Sequence, residues 1–517
     1  MARVERWVVA FLGAAAAACS GDGGGGAAAP SGPGQVAIPA GDDSLMPLAS
    51  LPDSPQGVLY SSIAVGGGYG YVCTGGQGMR VAKIASPDQI SVAVSEGKFA
   101  GAPGCREVVI AGDGAVVVTG TGFTPGSWIA VMAPGGKVNG DGDLELQSQV
   151  AIADAVAEDL AATKDRVFAA LGEKGLAVFS RAGGTLTEVA RLSQGFDQAL
   201  GVTTWGDDKL VVANALGGLL VVDVSDPAKP KIVKTVKVFG TARRVQVVGD
   251  QAWVASAGVG VGVYDLTTSK PDARIGSWPT HSSAVDLSVT SEGLVFVANW
   301  EDLVVLDASD PKHPKMVGSE RLQTGKAVPH VVGVQAEGHV GYVAEWSGVW
   351  SYVYAAGRSA PDIHLSRTRI DFGVVAETKY KGKGILVDNY GEKPLTIAGT
   401  VTSDDHFKAE WSDGCGEADT AKGECTVKPG DTAFLQVTFT ATDMKGIEGT
   451  VTFGTNDPDE ATLTLPLTGN KLDGVQVGGP FSQDPELIFQ DVKTGGDVSV
   501  PQKYPNTVVL LAYFATW

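Results

Sequence analysis

The stretch Gly217 to Pro230, GGLLVVDVSDPAKP, decides how the rest of the chain reads. Its apolar residues, Leu219 to Val222, are consecutive and do not alternate, which suits a short strand buried on both faces. The turn that ends it has its own logic: the Asp226 carboxylate can bond its own backbone, while the proline after it favours an extended residue before it and fixes φ. Asp226, and Asp310 in the second copy LVVLDASDPKHP at 303–314, therefore read as turn residues. Weaker copies recur across residues 60–357. Aligned on the strand before each copy, Tyr71, Val117, Phe168, Val211, Trp253, Phe296 and Tyr342 fall into register, one in each of seven units. A period of roughly 40 to 50 residues with several short strands per unit is the signature of a β-propeller blade.

These segments resemble the LVIVD repeat family, named for an apolar strand that ends in Asp. Blades four and six match its pattern well. Blade five has TTSKPD in place of the Asp-Pro turn, and blades one, two, three and seven keep the strands without the turn. The resemblance implies a seven-bladed propeller over residues 36–357. Val36 to Leu51 precede blade one, while blade seven runs out of sequence after Tyr354 with its outermost strand missing. The early segment is expected to supply that strand and close the ring, since an open ring leaves an unpaired edge.

Composition narrows the class. Hydrophobic residues make up 44% and charged residues 19%, which excludes a disordered chain, and 70 glycines favour a turn-rich all-β protein. A net charge of −19 repels nucleic acid and anionic headgroups, so no nucleic-acid partner is expected. The opening MARVERWVVAFLGAAAAAC has a charged start and an apolar run too short, at about a dozen residues, to span a membrane. It reads as a secretory signal over 1–18. Small residues before Cys19, with Ser20 after it, resemble a bacterial lipobox, although Ala16 stands where leucine is commoner. The resemblance implies lipidation at Cys19, a flexible tether over 19–35 and an address at the cell envelope, on the outer membrane or cell surface, with the membrane contacted through the lipid alone.

The remaining cysteines divide into two pairs, Cys73 with Cys105 and Cys415 with Cys425. Cys73 lies near the end of the second strand of blade one and Cys105 at the start of blade two, so antiparallel strands bring both to one face. No CxxC, HExxH, GxSxG or P-loop is present, and neither a metal nor a cofactor is expected. Asn139, Asp141 and Asp143 have the alternate spacing of a calcium loop, but Val150 stands where a bidentate Glu belongs, and the segment reads as a polar loop insertion. One rim collects a candidate binding surface: Trp300 and Trp346 in equivalent turns of neighbouring blades, with Arg243, His281 and His330. The competing account is that the tryptophans cover the blade interface.

AAGRSAP at 355–361 breaks the repeat. From 362 to 470 strands alternate, Leu435, Val437 and Phe439 against Gln436, Thr438 and Thr440, as in an Ig-like β-sandwich. IDFGVV, VDNYGEKPLTI and GTNDPDEATLTLPLTG resemble the abnormal-spindle and Hydin type of Ig-like domain, which implies a spacer or binding module without catalysis. Within 471–517, LIFQDVKTGGDVSVPQKYPNTVVLLAYFATW resembles the opening of a thioredoxin-fold redoxin, an incomplete α/β fragment: a short strand pair, then VVLLAYFATW as the central strand. In that family a CxxC at a helix start follows. Two functions are therefore expected in competition: a non-catalytic binding or scaffold module with a protein or carbohydrate partner at the envelope, or the front part of a thiol or selenol oxidoreductase whose gene continues past Trp517 through a UGA-encoded selenocysteine. Within the 517 residues no catalytic residue is expected.

Overall fold

The computed structural model describes residues 44–472, apart from 52–58, 100–103, 122–125, 140–142, 183–184, 321–329, 357–359, 417–419 and the single positions 271, 281, 347, 368, 392 and 459, together with 475–476, 488–490 and 497–499. The expected lipidation site Cys19, residues 1–43 as a whole, His281, Asp141 and the VVLLAYFATW strand lie outside the described residues.

Seven four-stranded antiparallel sheets form the blades of a propeller. Their inner strands are Ser62–Gly66, Glu107–Ile110, Asp159–Ala162, Gly201–Trp205, Thr241–Val248, Asp286–Val289 and Val331–Glu337. Each inner strand touches the next around the ring, and that of blade seven returns to that of blade one. Blade seven takes its outer strand from the other end of the domain: Leu45–Ser50 pairs antiparallel with Gly348–Tyr354, Leu45 opposite Tyr354 and Ser50 opposite Trp350. Leu45 and Met46 are buried there. The ring is closed as the sequence predicts, by an N-terminal strand.

The alignment of the repeats holds at the level of single residues. Tyr71 pairs with Ala64, Val117 with Val109, Phe168 with Ala161, Val211 with Thr203, Trp253 with Gln246, Phe296 with Ser288 and Tyr342 with Gln335. All seven second-strand residues are buried between blades. The turn chemistry is also visible. Asp226 Oδ1 accepts from the Ala228 N–H at 3.1 Å and Asp310 Oδ1 from that of Lys312 at 3.0 Å. Asp223, Asp265 and Asp307, which end the apolar third strands, cap the backbone two residues on in the same way. Blade five thus keeps the aspartate although it lacks the Asp-Pro pair.

In blades one, three, four and five the third strand is entered through a glycine that no other residue could replace. Gly218 has φ +81°, and a Cβ there would lie 2.2 Å from the Val236 carbonyl oxygen. Gly78, Gly175 and Gly260 hold the same position, with Cβ approaches of 2.3, 2.2 and 2.2 Å to the carbonyl of their own outer strands.

Cys73 and Cys105 are bonded, Cα atoms 5.0 Å apart, and tie blade one to blade two. Cys415–Cys425, at 4.8 Å, lies inside the second domain. That domain is a sandwich of a four-stranded and a five-stranded sheet. Leu435, Val437 and Phe439 face its core with Leu463, Leu465 and Leu467 from the opposite sheet. The sandwich docks on blade six: Ser319 Oγ donates to Asp362 at 3.2 Å, and His364 Nε2 sits 2.8 Å from Asp302. Near the end of the chain Ile488–Gln490 and Asp497–Ser499 pair as a hairpin.

Candidate binding site at the propeller axis

The inner strands place one equivalent residue per blade around the axis. Pairing with the second strands puts Ser62, Glu107, Asp159, Gly201, Arg244, Asp286 and Gly333 at one level. The residues just before them, Ser61, Arg106, Glu158, Leu200, Arg243, Val285 and Val332, form a second ring. All seven line a cavity of about 250 Å³, joined by Tyr60, Arg244, Trp300 and Trp346.

The deeper ring is the floor. Arg244 forms an ion pair with Glu107, lies 3.5 Å from Asp159 and 4.0 Å from Asp286, and donates to the Leu200 carbonyl at 2.9 Å. Its acids also stitch the blades. Asp159 accepts from the Val202 N–H of blade four at 2.8 Å, and Asp286 from the Val334 N–H of blade seven at 3.0 Å. Burial pushes Asp159 up to about 7 against the pull of Arg244, with the Glu107 charge adding to burial. Burial likewise pushes Asp286 to about 6. For Arg244, burial works against the charge, but Asp159, Glu107 and Asp286 outweigh it and hold its pKa above the ordinary range. The floor is a saturated charge network.

The mouth is different. Arg106 is paired with Glu158. Arg243 stands between Leu200 and Val285 in ring order, and among the described residues no carboxylate lies within ion-pair distance of it. Desolvation, then the like charge of Arg244, lowers its pKa.

Blades six and seven supply an aromatic wall. At the turn after the second strand of blades one, three, four, six and seven, one carbonyl accepts from the N–H that leads into the next blade: Gly75 from Cys105 at 2.7 Å, Gly172 from Ala199 at 2.9 Å, Ala215 from Ala242 at 3.1 Å, Trp300 from Val331 at 2.7 Å and Trp346 from Tyr60 at 3.3 Å. The backbone there is left-handed in Gly75 (φ 56°), Gly172 (φ 56°), Ala215 (φ 46°) and Trp300 (φ 63°). This conformation favours glycine and costs an L-residue roughly 1–2 kcal/mol. A tryptophan is therefore held left-handed where blades one and three use glycine and blade four alanine. Its ring lies 4.4 Å from His330 and 5.6 Å from Trp346, and His330 is 4.2 Å from Trp346. Burial lowers the His330 pKa, against the opposing pull of the Glu345 charge.

Of the residues the sequence singled out, Arg243, Trp300 and Trp346 meet at the cavity, and His330 stacks between the two indoles. Both accounts of the tryptophans have a basis, since each is half-buried against its neighbour and each lines the cavity. Sequence reading missed Tyr60, Arg106, Glu158 and the whole floor. A signal existed: charged residues directly before the inner apolar runs in REVVI, EDLAA and ARRVQV fall in register once the repeats are aligned. Among the described residues no cluster of three or more His, Cys, Asp or Glu side chains is arranged to hold a metal. Asn139 Oδ1 accepts from the Asp143 N–H at 3.0 Å. No helix among the described residues is long and apolar enough to cross a membrane.

Comparison with known families follows this geometry. Residues 210–238 and 282–320 are LVIVD repeats. They are blades four and six, the two that carry the intact Asp-Pro turn. Residues 361–468 match the HYDIN/CFA65/VesB-like Ig-like domain. No curated protein matches the chain in sequence. Among solved structures, the WD40 β-propeller domain of Doa1 is 12% identical with a TM-score of 0.48, covering 61% of this chain and 99% of that one. The computationally designed Ika8 protein is 12% identical with a TM-score of 0.43, over 60% of this chain and all of that one (100%). Raptor of Chaetomium thermophilum is 13% identical with a TM-score of 0.46, over 60% of this chain and 29% of that one.

Proposed function

We propose that the protein is a non-catalytic binding module of the cell envelope, with the axial mouth of the propeller as its ligand face and the Ig-like domain as its spacer. The observation that carries this is Trp300. Backbone strain persists where the surroundings over-determine it and concentrates at functional sites, and here it sets an indole at the rim of a cavity where blades one and three use glycine and blade four alanine. Export and lipid attachment at Cys19 rest on the lipobox-like opening, and the tether beyond it gives the propeller reach from the membrane. The test uses the full chain expressed in a bacterial host. Wild type is expected in the membrane fraction and Cys19→Ala in the soluble envelope fraction. A Trp300→Ala/Trp346→Ala variant that melts as a folded propeller is expected to lose the protein or carbohydrate partner that wild type captures from envelope extracts. Retention of that partner refutes the axial face.

A second reading has one observation in its favour: the hairpin Ile488–Gln490 with Asp497–Ser499 lies where the redoxin resemblance expects a strand pair. On it the propeller positions a thiol or selenol oxidoreductase. The codon after Trp517 decides. UGA followed in frame by two residues, a cysteine and a helix–strand continuation supports it, and UAA or UAG refutes it.

A further inference from the structure

Resting on the reading that the axial mouth binds a ligand, we propose the ligand's chemistry: a carboxylate joined to a flat ring, the carboxylate on Arg243 and the ring on the Trp300–Trp346 wall. Charge accounting around the two rings leads to this. Arg244 is committed to Glu107, Asp159 and Asp286, and Arg106 to Glu158. Arg243 is the remaining arginine of the cavity, flanked around the ring by Leu200 and Val285. Arg243 is exposed at the mouth and has no carboxylate partner among the described residues, and its planar fork matches a carboxylate in a bidentate pair.

The floor sets the charge of that anion. Three acids lie beneath Arg243 with one arginine among them. A dianion such as a phosphate monoester would need a second free cation and would face those acids, whereas a monoanion needs Arg243 alone. The shape sets the rest. Trp300 belongs to blade six, next to Arg243 on blade five; His330 fills the corner between the two indoles, and the indole surfaces that line the cavity are left to take a flat apolar or sugar ring. A cavity of about 250 Å³ has room for a ligand of about ten non-hydrogen atoms.

The experiment titrates the full chain with phenylacetate, its neutral counterpart phenylacetamide, and phenyl phosphate, read by tryptophan fluorescence and by calorimetry. Saturable phenylacetate binding is expected, with phenylacetamide and phenyl phosphate each at least ten-fold weaker, and with Arg243→Gln removing the preference for phenylacetate over phenylacetamide. Arg243→Lys is expected to restore part of that preference, which a structural role for the arginine would not do. Equal binding of phenylacetate and phenylacetamide overturns the carboxylate assignment and leaves the mouth a binding site. Tighter phenyl phosphate overturns the monoanion assignment. No saturable binding of any of the three overturns the ligand class, while the envelope capture by wild type and its loss in the double tryptophan variant still judge the mouth itself.

Discussion

The contact between the two domains carries a sharp prediction. His364 of the Ig-like domain lies between two carboxylates, its Nε2 2.8 Å from Asp302 of blade six and its Nδ1 3.4 Å from Asp388 of its own domain. Asp302 and Asp388 are 1% and 2% exposed, so neither acid has bulk water to fall back on. Asp388 also accepts from the Tyr390 hydroxyl at 3.1 Å, and burial together with that carboxylate raises the tyrosine's pKa. A neutral imidazole has one N–H, and only the imidazolium donates to both acids at once. Replacing His364 by alanine removes the imidazole between the two buried carboxylates, while Asn299 stays on Asp302 and Thr432 and Tyr390 stay on Asp388. Removing one partner of a buried ion pair costs roughly 3–5 kcal/mol. For a unit of this size that corresponds to a fall in melting temperature of roughly 6–20 °C. Calorimetry of the full chain measures it, with Asp302→Ala and the double variant completing a thermodynamic cycle. The double variant is expected to be no less stable than His364→Ala alone, because it removes one of the two buried carboxylates. A drop below about 3 °C for His364→Ala, against that 3–5 kcal/mol expectation, or strictly additive losses in the cycle, would refute the clamp.

Trp300→Gly separates strain from packing: loss of a packing tryptophan costs about 3–5 kcal/mol, whereas release of the left-handed backbone is expected to hold the melting temperature within a few degrees of wild type while ligand binding disappears. Deleting 44–51 strips Leu45, Met46 and Leu51 from blade seven, a loss of roughly 5–9 kcal/mol at the usual value per buried apolar side chain, so light scattering and melting should show aggregation at a lower temperature; unchanged behaviour means the ring closes another way. Asp159 has its folded pKa raised to about 7, so the native chain keeps a proton that the unfolded chain loses near pH 4, and the associated stability is full below pH 4 and is lost as pH rises through about 7. Melting temperature is thus expected to fall between pH 5 and pH 8, and to fall less steeply in Asp159→Asn; equal slopes in the two proteins count against a titrating floor.

Much of this architecture was legible because the repeat has a physical cause that each unit must satisfy. Blades four and six announce themselves through Asp223, Asp307 and the Asp-Pro turn, all of which bond locally and so leave a local pattern. The seven second-strand residues were found in true register because two-sided burial demands consecutive apolar residues. The floor was illegible one unit at a time. Glu107, Asp159 and Asp286 are each a single acid before an apolar run, and each looks like an ordinary strand start. Only closure of the ring brings Arg244 of blade five to Glu107 of blade two, residues far apart in sequence that share no local signal. Likewise His364 reads as an isolated histidine until docking sets it against Asp302. Trp300 and Trp346 were visible as a pair because equivalent turns preserve spacing, but the left-handed backbone that distinguishes Trp300 leaves no mark in the sequence apart from the glycines it replaces.

The turn Asn299 to Asp302 gathers both departures from the repeat. In blade four the Asn214 N–H donates to the Gly218 carbonyl at 2.8 Å across five residues, while in blade six the Asn299 N–H donates to the Asp302 carbonyl at 2.9 Å across four. The shorter turn sets Asp302 where blades one, three, four and five require a left-handed glycine, and it sets Trp300 where Gly75 and Gly172 stand. One deleted residue thus has two consequences. It frees the position before the third strand from its glycine, so a carboxylate can face His364 of the Ig-like domain, and it leaves the strain on a tryptophan at the cavity rim. Asn299 joins them, its side-chain amide lying 3.4 Å from Asp302 Oδ2, the oxygen that meets His364. Docking of the Ig-like domain and presentation of Trp300 therefore depend on the same four residues of backbone.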